Sequence, residues 1–257
     1  MKIFKKTNFK KPLIFSLILF PLFVIGGYLA TVMSVSSMTP EFLSQGIEQF
    51  GSKLNLILAS SIMPIILPFI CSFFGFILSE KIGLLRPFKF EKSALIKTIV
   101  ISMIFGIIFS LDAWTFAKWS PELAKTYEST GSFDAITWFS SVLYGGLSEE
   151  IMMRLFFMSF LSFAVWKIFF KEKENVPNGV IIGSNIVVAL AFAVSHLPAT
   201  LQTFGVLTPL LIFRCFLMNG AFGLLFGRLY RKYGIQYAVL SHIILHIVSK
   251  TIWLIAF

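Results

Sequence analysis

Apolar residues fall in long blocks along this chain, and that feature narrows its architecture more than any other. The blocks run roughly over 12–35, 54–79, 94–112, 137–170, 179–196, 206–227 and 235–257. Most approach the ~20 residues a helix needs to cross ~30 Å of hydrocarbon. The composition agrees: 57% of residues are hydrophobic, 13% are charged, and the mean hydropathy is +0.86. Soluble domains are about half apolar and about a quarter charged. The reading is all-α, a polytopic transmembrane helical bundle of about seven spans, forming a single membrane domain over residues 1–257. An eighth span within 113–136 is the alternative, although that stretch reads better as an interfacial loop. The fourth block is too long for one crossing. Either it tilts and protrudes, or Gly145-Gly146 breaks it.

The connections set the orientation. Lys2, Lys5, Lys6, Lys10 and Lys11 precede the first span. Lys81, Arg86, Lys89 and Lys92 follow the second, Lys171 and Lys173 the fourth, and Arg228, Arg231 and Lys232 the sixth. The alternate connections are neutral or acidic on balance. By the positive-inside rule the N-terminus is cytoplasmic and the C-terminus lies outside. The net charge of +10 therefore marks helix ends facing a lipid bilayer, and no nucleic acid partner is implied. The first apolar run, about 24 residues, exceeds the ~7–15 of a signal-peptide core and reads as an uncleaved span. Trp114, Trp119, Trp138, Trp166 and Trp253 fall near span ends, where indoles anchor. Cys71 and Cys215 lie in separate spans and read as reduced thiols. Gly223 and Gly227 form a small-xxx-small pair suited to helix packing.

Ionisable residues within spans are costly and usually paired or functional. Here they are Glu149, Glu150 and Arg154 in the fourth span, His196 at the end of the fifth, Arg214 in the sixth, and His242 and His246 in the seventh. Lys97, Lys167 and Lys250 lie close enough to span ends to snorkel. All three histidines of the chain sit in or beside the last three spans. Glu150 and Arg154 stand four apart in the favourable helical order, so they pair as a structural salt bridge. Glu149 points about 100° away and finds no base at i+3 or i+4. A buried, unpaired carboxyl suits a general base. His242 and His246 share a helix face, and Asn185, Phe192 and His196 share another. Helices four, five and seven can thus aim Glu149, His196, His242 and His246 at one cavity, to polarise a water or to bind zinc. Ser148 and Ser241 adjoin these residues on other helix faces and are weak candidates for a nucleophile. No HExxH, GxSxG, P-loop or GxGxxG pattern is present.

The motifs together resemble the CPBP (CAAX-protease and bacteriocin-processing, or Abi) family of intramembrane proteases. Glu149-Glu150-xxx-Arg154 resembles its EExxxR motif, Phe192–His196 its FxxxH motif, and His242–His246 its HxxxN motif. The likeness covers about residues 137–250, the motif-bearing core. It implies that Glu149 activates the attacking water with help from His196, that Glu150 pairs with Arg154, and that His242 stabilises an oxyanion with residue 246 beside it. His246 stands where Asn is usual. An Asn amide donates at every pH, whereas neutral His donates through one nitrogen only. The cofactor is none or zinc. If zinc is bound, its ligands come from Glu149, His196, His242 and His246; the single free glutamate favours the metal-free form.

The expected activity is endopeptidase cleavage of a membrane-associated or leader-peptide substrate by a Glu-activated water. The alternative is a non-catalytic membrane protein of the same fold, acting in bacteriocin self-immunity or as a partner scaffold. A proton-relaying transporter is less favoured, since no inverted repeat is visible. Many phenylalanines and lysines suggest a bacterial cell membrane. One conflict of depth stands out. His196 falls at the outer end of span five, while His242 lies about 11 Å from the inner end of span seven at 1.5 Å per residue. A short fifth span or an irregular segment dipping inward near Pro198 is expected.

Overall fold

The computed structural model describes residues 9–128 and 134–256. Among these, seven helical rods are long and apolar enough to cross a membrane. They are α1 (Lys10–Ser36), α3 (Lys53–Lys81), a rod from Lys92 to Trp119 that begins with α4 (Lys92–Ser110), α6 (Ala135–Phe169), the pair α7 (Asn178–Ser195) and α8 (Leu197–Phe204), α9 (Pro209–Tyr233) and α10 (Ile235–Ala256). Two shorter helices, α2 (Pro40–Phe50) and α5 (Pro121–Glu128), lie in the connections. The chain is a multi-pass helical membrane protein. No eighth span fills 113–136: that stretch holds two 3-10 turns and α5, and residues 129–133 lie outside the described part.

Local sequence explains the helix ends. Ser52 caps α3 by accepting from the Asn55 amide at 3.2 Å, and Thr208 caps α9 ahead of Pro209. Such caps satisfy amides that the first turn leaves without a partner. The bundle interior is joined by small polar contacts as well as apolar packing: Ser16 with Ser72 and Ser102 with Ser241, both 2.7 Å, and Ser159 with Tyr230, 2.8 Å. Interhelical hydroxyl bonds of this kind hold helices together where the hydrophobic effect cannot. Large apolar side chains such as Ile18, Ile62 and Met63 stay exposed on the outside, as a lipid-facing surface requires. Cys71 and Cys215 are buried free thiols.

Three expectations about helix geometry need correction or refinement. The fourth rod is unbroken at Gly145-Gly146; it widens instead into π-helical turns over Ser141–Glu149 and Ile151–Met158. Span five does not end at 196. Its rod continues to Phe204 after a break at His196, so the segment after Pro198 is a helix rather than an irregular loop. Pro198 supplies the physical cause: it has no N–H to continue the ladder of α7, yet it fits the first turn of α8. The connection over 36–53 also holds an expected-loop segment that is helical, as α2.

Candidate active site

The π turns of α6 decide what its motif presents. In an α-helix of about 100° per residue, Ser140 and Glu149 would lie on opposite sides. The wider i→i+5 turns rotate them onto one face. Ser140, Ser141, Tyr144, Gly145 and Glu149 accordingly all line a single cavity of about 160 Å³. Gly145 and Gly146 let α10 approach. A Cβ at Gly145 would stand 2.9 Å from Nε2 of His246, and one at Gly146 would overlap Ile243.

His196, Asn219, His242 and His246 complete the polar lining, so the four residues expected to converge do so. The conflict of depth disappears because His196 lies inside its rod and not at its end. Its Nδ1 lies 2.7 Å from the Phe192 carbonyl, which makes Nδ1 the protonated nitrogen and leaves the Nε2 lone pair free. That Nε2 is 3.8 Å from Oε1 of Glu149; the His196 side chain is 31% exposed and that of Glu149 17%. The separation is too long for a direct hydrogen bond.

Glu150 is wholly buried and does more than pair with Arg154. Arg154 Nη1 donates to its Oε1 at 2.9 Å, and His242 Nδ1 meets the same oxygen at 2.9 Å. The carboxyl therefore orients the imidazole of α10 as well as neutralising the arginine, a link that residue spacing within α6 could not reveal. Arg154 Nη2 donates to the Gly223 carbonyl at 3.0 Å, and its guanidinium lies over the rings of Phe192 and Phe226. Gly223 thus serves the site as well as helix packing. A Cβ there would stand 3.0 Å from Arg154 Nη2. The His242 ring is sandwiched between Phe226 and His246, with centroids 4.4 and 4.8 Å away.

Other residues fall elsewhere. Ser148 bonds the Leu143 carbonyl, Ser241 bonds Ser102, and neither lines the cavity. Asn185 shares the face of Phe192 only in projection; it reaches across to the Leu224 carbonyl at 3.1 Å. Arg214 is bound by Asp112 through Nε and Nη2, at 2.8, 3.0 and 2.5 Å, and Tyr127 donates to the same carboxylate at 2.5 Å. Asp112, the last residue of the third apolar block, was passed over, although the charge of Arg214 within a span calls for an acidic partner. Asn219 and Tyr144 are site residues that attention to ionisable groups alone passes over. Asn219 is an amide in mid-span, on a π turn of α9 over Phe216–Gly220.

Zinc was one expectation for this site. Among the described residues no three His, Cys, Asp or Glu side chains are gathered as a metal-ligand set. One nitrogen each of His196 and His242 is engaged by Phe192 and Glu150.

The bundle thus gathers Glu149 and three histidines from three rods around one cavity, with Glu150 buried behind His242. The family model described as type II CAAX prenyl endopeptidase Rce1-like matches residues 131–248, the stretch that carries all three motifs. Over that stretch the chain has the sequence pattern of the CAAX-protease family that its motifs resemble. No curated protein and no solved structure matches the chain.

Proposed function

We propose that the protein is an intramembrane endopeptidase in which Glu149 and His196 activate a water for attack on a peptide bond. The observation that carries this reading is the 3.8 Å separation of Glu149 Oε1 and His196 Nε2 on the cavity wall. Both atoms accept hydrogen bonds. One water can donate to each and keep a lone pair for the substrate carbonyl. Glu149 takes the water's proton as the C–O bond forms. The oxyanion side is bounded by His242, whose ring Glu150 holds through Nδ1. The Glu149 proton passes to the amide nitrogen as the C–N bond breaks, which closes the balance of atoms and charge.

His246 stacks on His242 and bounds the cavity where an Asn amide would otherwise stand. We assign it to hold the oxyanion side. The substrate is a membrane-associated or leader peptide, and no metal is required for the steps above. The protein sits in a bacterial cell membrane with its N-terminus in the cytoplasm. The cavity lies nearer the ends of the rods opposite the lysine-rich connections, and water enters from there.

The test compares membranes and secreted peptides from cells making the wild-type or the Glu149→Gln protein, and then measures cleavage of the peptides that differ by the purified proteins. Loss of general-base catalysis lowers turnover by about 10²–10⁴. Equal turnover by folded Glu149→Gln protein overturns the assignment.

A further inference from the structure

On the far side of α6 and α10 from the active-site cavity lies a second cavity of about 290 Å³. Its walls include Phe15 of α1, Phe90 of the connection before α4, Leu147 and Ile151 of α6, and Leu240 and Ile243 of α10. Gln236 is the one polar lining residue among those described. Its amide nitrogen donates to the Pro87 and Lys89 carbonyls at 3.0 and 3.2 Å, and the Glu91 amide donates to the Tyr237 hydroxyl at 2.7 Å. These bonds pin the 82–91 connection to the start of α10, so the connection forms a fixed wall. The close packing of Gly146 on Ile243 separates this cavity from the first.

We propose that this second cavity holds one acyl chain of an anionic phospholipid. Gln236 Oε1 is the one acceptor without a partner among the described lining residues, so the several amides of a peptide buried there would be left largely unsatisfied. The volume is near the lower end of small-molecule sites, about 300–1,000 Å³, and suits a single chain. The mouth carries positive charge for a phosphate. Lys11 lies one turn before Phe15 on α1, and Arg86 and Lys92 flank Phe88 and Phe90; all three basic side chains are exposed, while Lys89 and Glu91 of the same segment pair with each other at 3.3 Å. Both phenylalanines are about half exposed, at 55% and 54%, as a passage from bilayer to cavity requires. The chain lies directly behind the segments of α6 and α10 that hold Glu150 against His242, and so fills space that those helices leave open.

Native mass spectrometry of the detergent-purified protein, titrated with phosphatidylglycerol, phosphatidylcholine or oleic acid, tests the proposal. The wild type retains one phosphatidylglycerol after the remaining lipids have been stripped, and retains phosphatidylcholine less well. Leu240→Trp, which fills the cavity from α10, retains it at least about tenfold less, the loss of burying two methylene groups. Leu19→Trp fills the same cavity from α1 and gives a second reading if the first variant misfolds. Added phosphatidylglycerol raises the unfolding temperature of the wild type and not of these variants, since only a ligand of the folded state stabilises it. Equal retention by wild type and either folded variant overturns the proposal, as does retention of oleic acid in preference to the phospholipid.

Discussion

Two groups of buried charges lie in this bundle, and they differ in how completely they are satisfied. Asp112, Arg214 and Tyr127 form a closed set: the carboxylate accepts from the guanidinium and from the phenol, and its side chain is fully buried. The set ties the 111–128 connection to α9. Around the cavity the accounting is left open. Oε2 of Glu150 and Nε of Arg154 have no partner among the described residues, and Glu149 faces His196 without touching it. A buried charge with every hydrogen bond made can only fix geometry. Glu149, which lines the cavity without a direct hydrogen bond to His196, keeps lone pairs that can take a proton there.

The largest separation between the two sets is expected in variants that remove one cation from each. Arg154→Met leaves Glu150 buried with only His242 against it, and costs about 3–5 kcal/mol, the range for stranding half of a buried pair. Arg214→Met leaves Asp112 its bond from Tyr127, and Arg214 was already 17% exposed. Its cost is nearer the about 1–3 kcal/mol of a lost charged hydrogen bond. Unfolding in detergent measures both. Peptide cleavage per folded molecule is expected to vanish in the first variant and to persist in the second. If Arg214→Met proves the more damaging on both measures, the division into structural and chemical sets fails.

A smaller effect sharpens the comparison within the cavity. Asn219 donates through Nδ2 to its own Cys215 carbonyl at 3.0 Å, so its Oδ1 is the atom left to serve the cavity it lines. As an acceptor it suits a substrate backbone N–H. Asn219→Ala is expected to raise KM by about 2–10-fold, one hydrogen bond, with little change in kcat. A fall in kcat at constant KM would instead place Asn219 among the groups acting in the transition state.

Much of this was legible before the structure. The seven rods follow from block hydropathy, and Glu150–Arg154 from i,i+4 spacing. That Glu149 lacks a partner on its own helix followed from spacing, and its working with His196 was implied by the resemblance of the motifs. Three features escaped for identifiable reasons. The π turns of α6 depend on how Gly145 and Gly146 meet α10, which is a tertiary contact. The hydrogen bond from His242 to Glu150 crosses 92 residues, so helix periodicity carries no trace of it. The continuation of span five past His196 was hidden because Pro198 reads as a stop, whereas here it opens the next helix.

The smallest expected effect lies at the entrance to α6 and tests whether its register is anchored from outside the membrane. Asp134 accepts from the Ile136 and Thr137 amides at 3.0 and 3.2 Å, and from the Thr137 hydroxyl. The Thr137 hydroxyl bond, with the two amides, holds its carboxyl below its ordinary range. A lowered value means that the stabilisation is present above the unfolded aspartate pKa of about 3.9 and is lost as pH falls through the folded value. Asp134→Ala is therefore expected to cost about 1 kcal/mol at neutral pH. The gap to wild type should narrow toward pH 3, whereas Asp134→Asn keeps the cap with no such pH dependence. Unfolding temperatures of the three proteins at both pH values decide it. A gap of constant size would mean that Asp134 contributes through packing, and that α6 takes its register from the bundle alone.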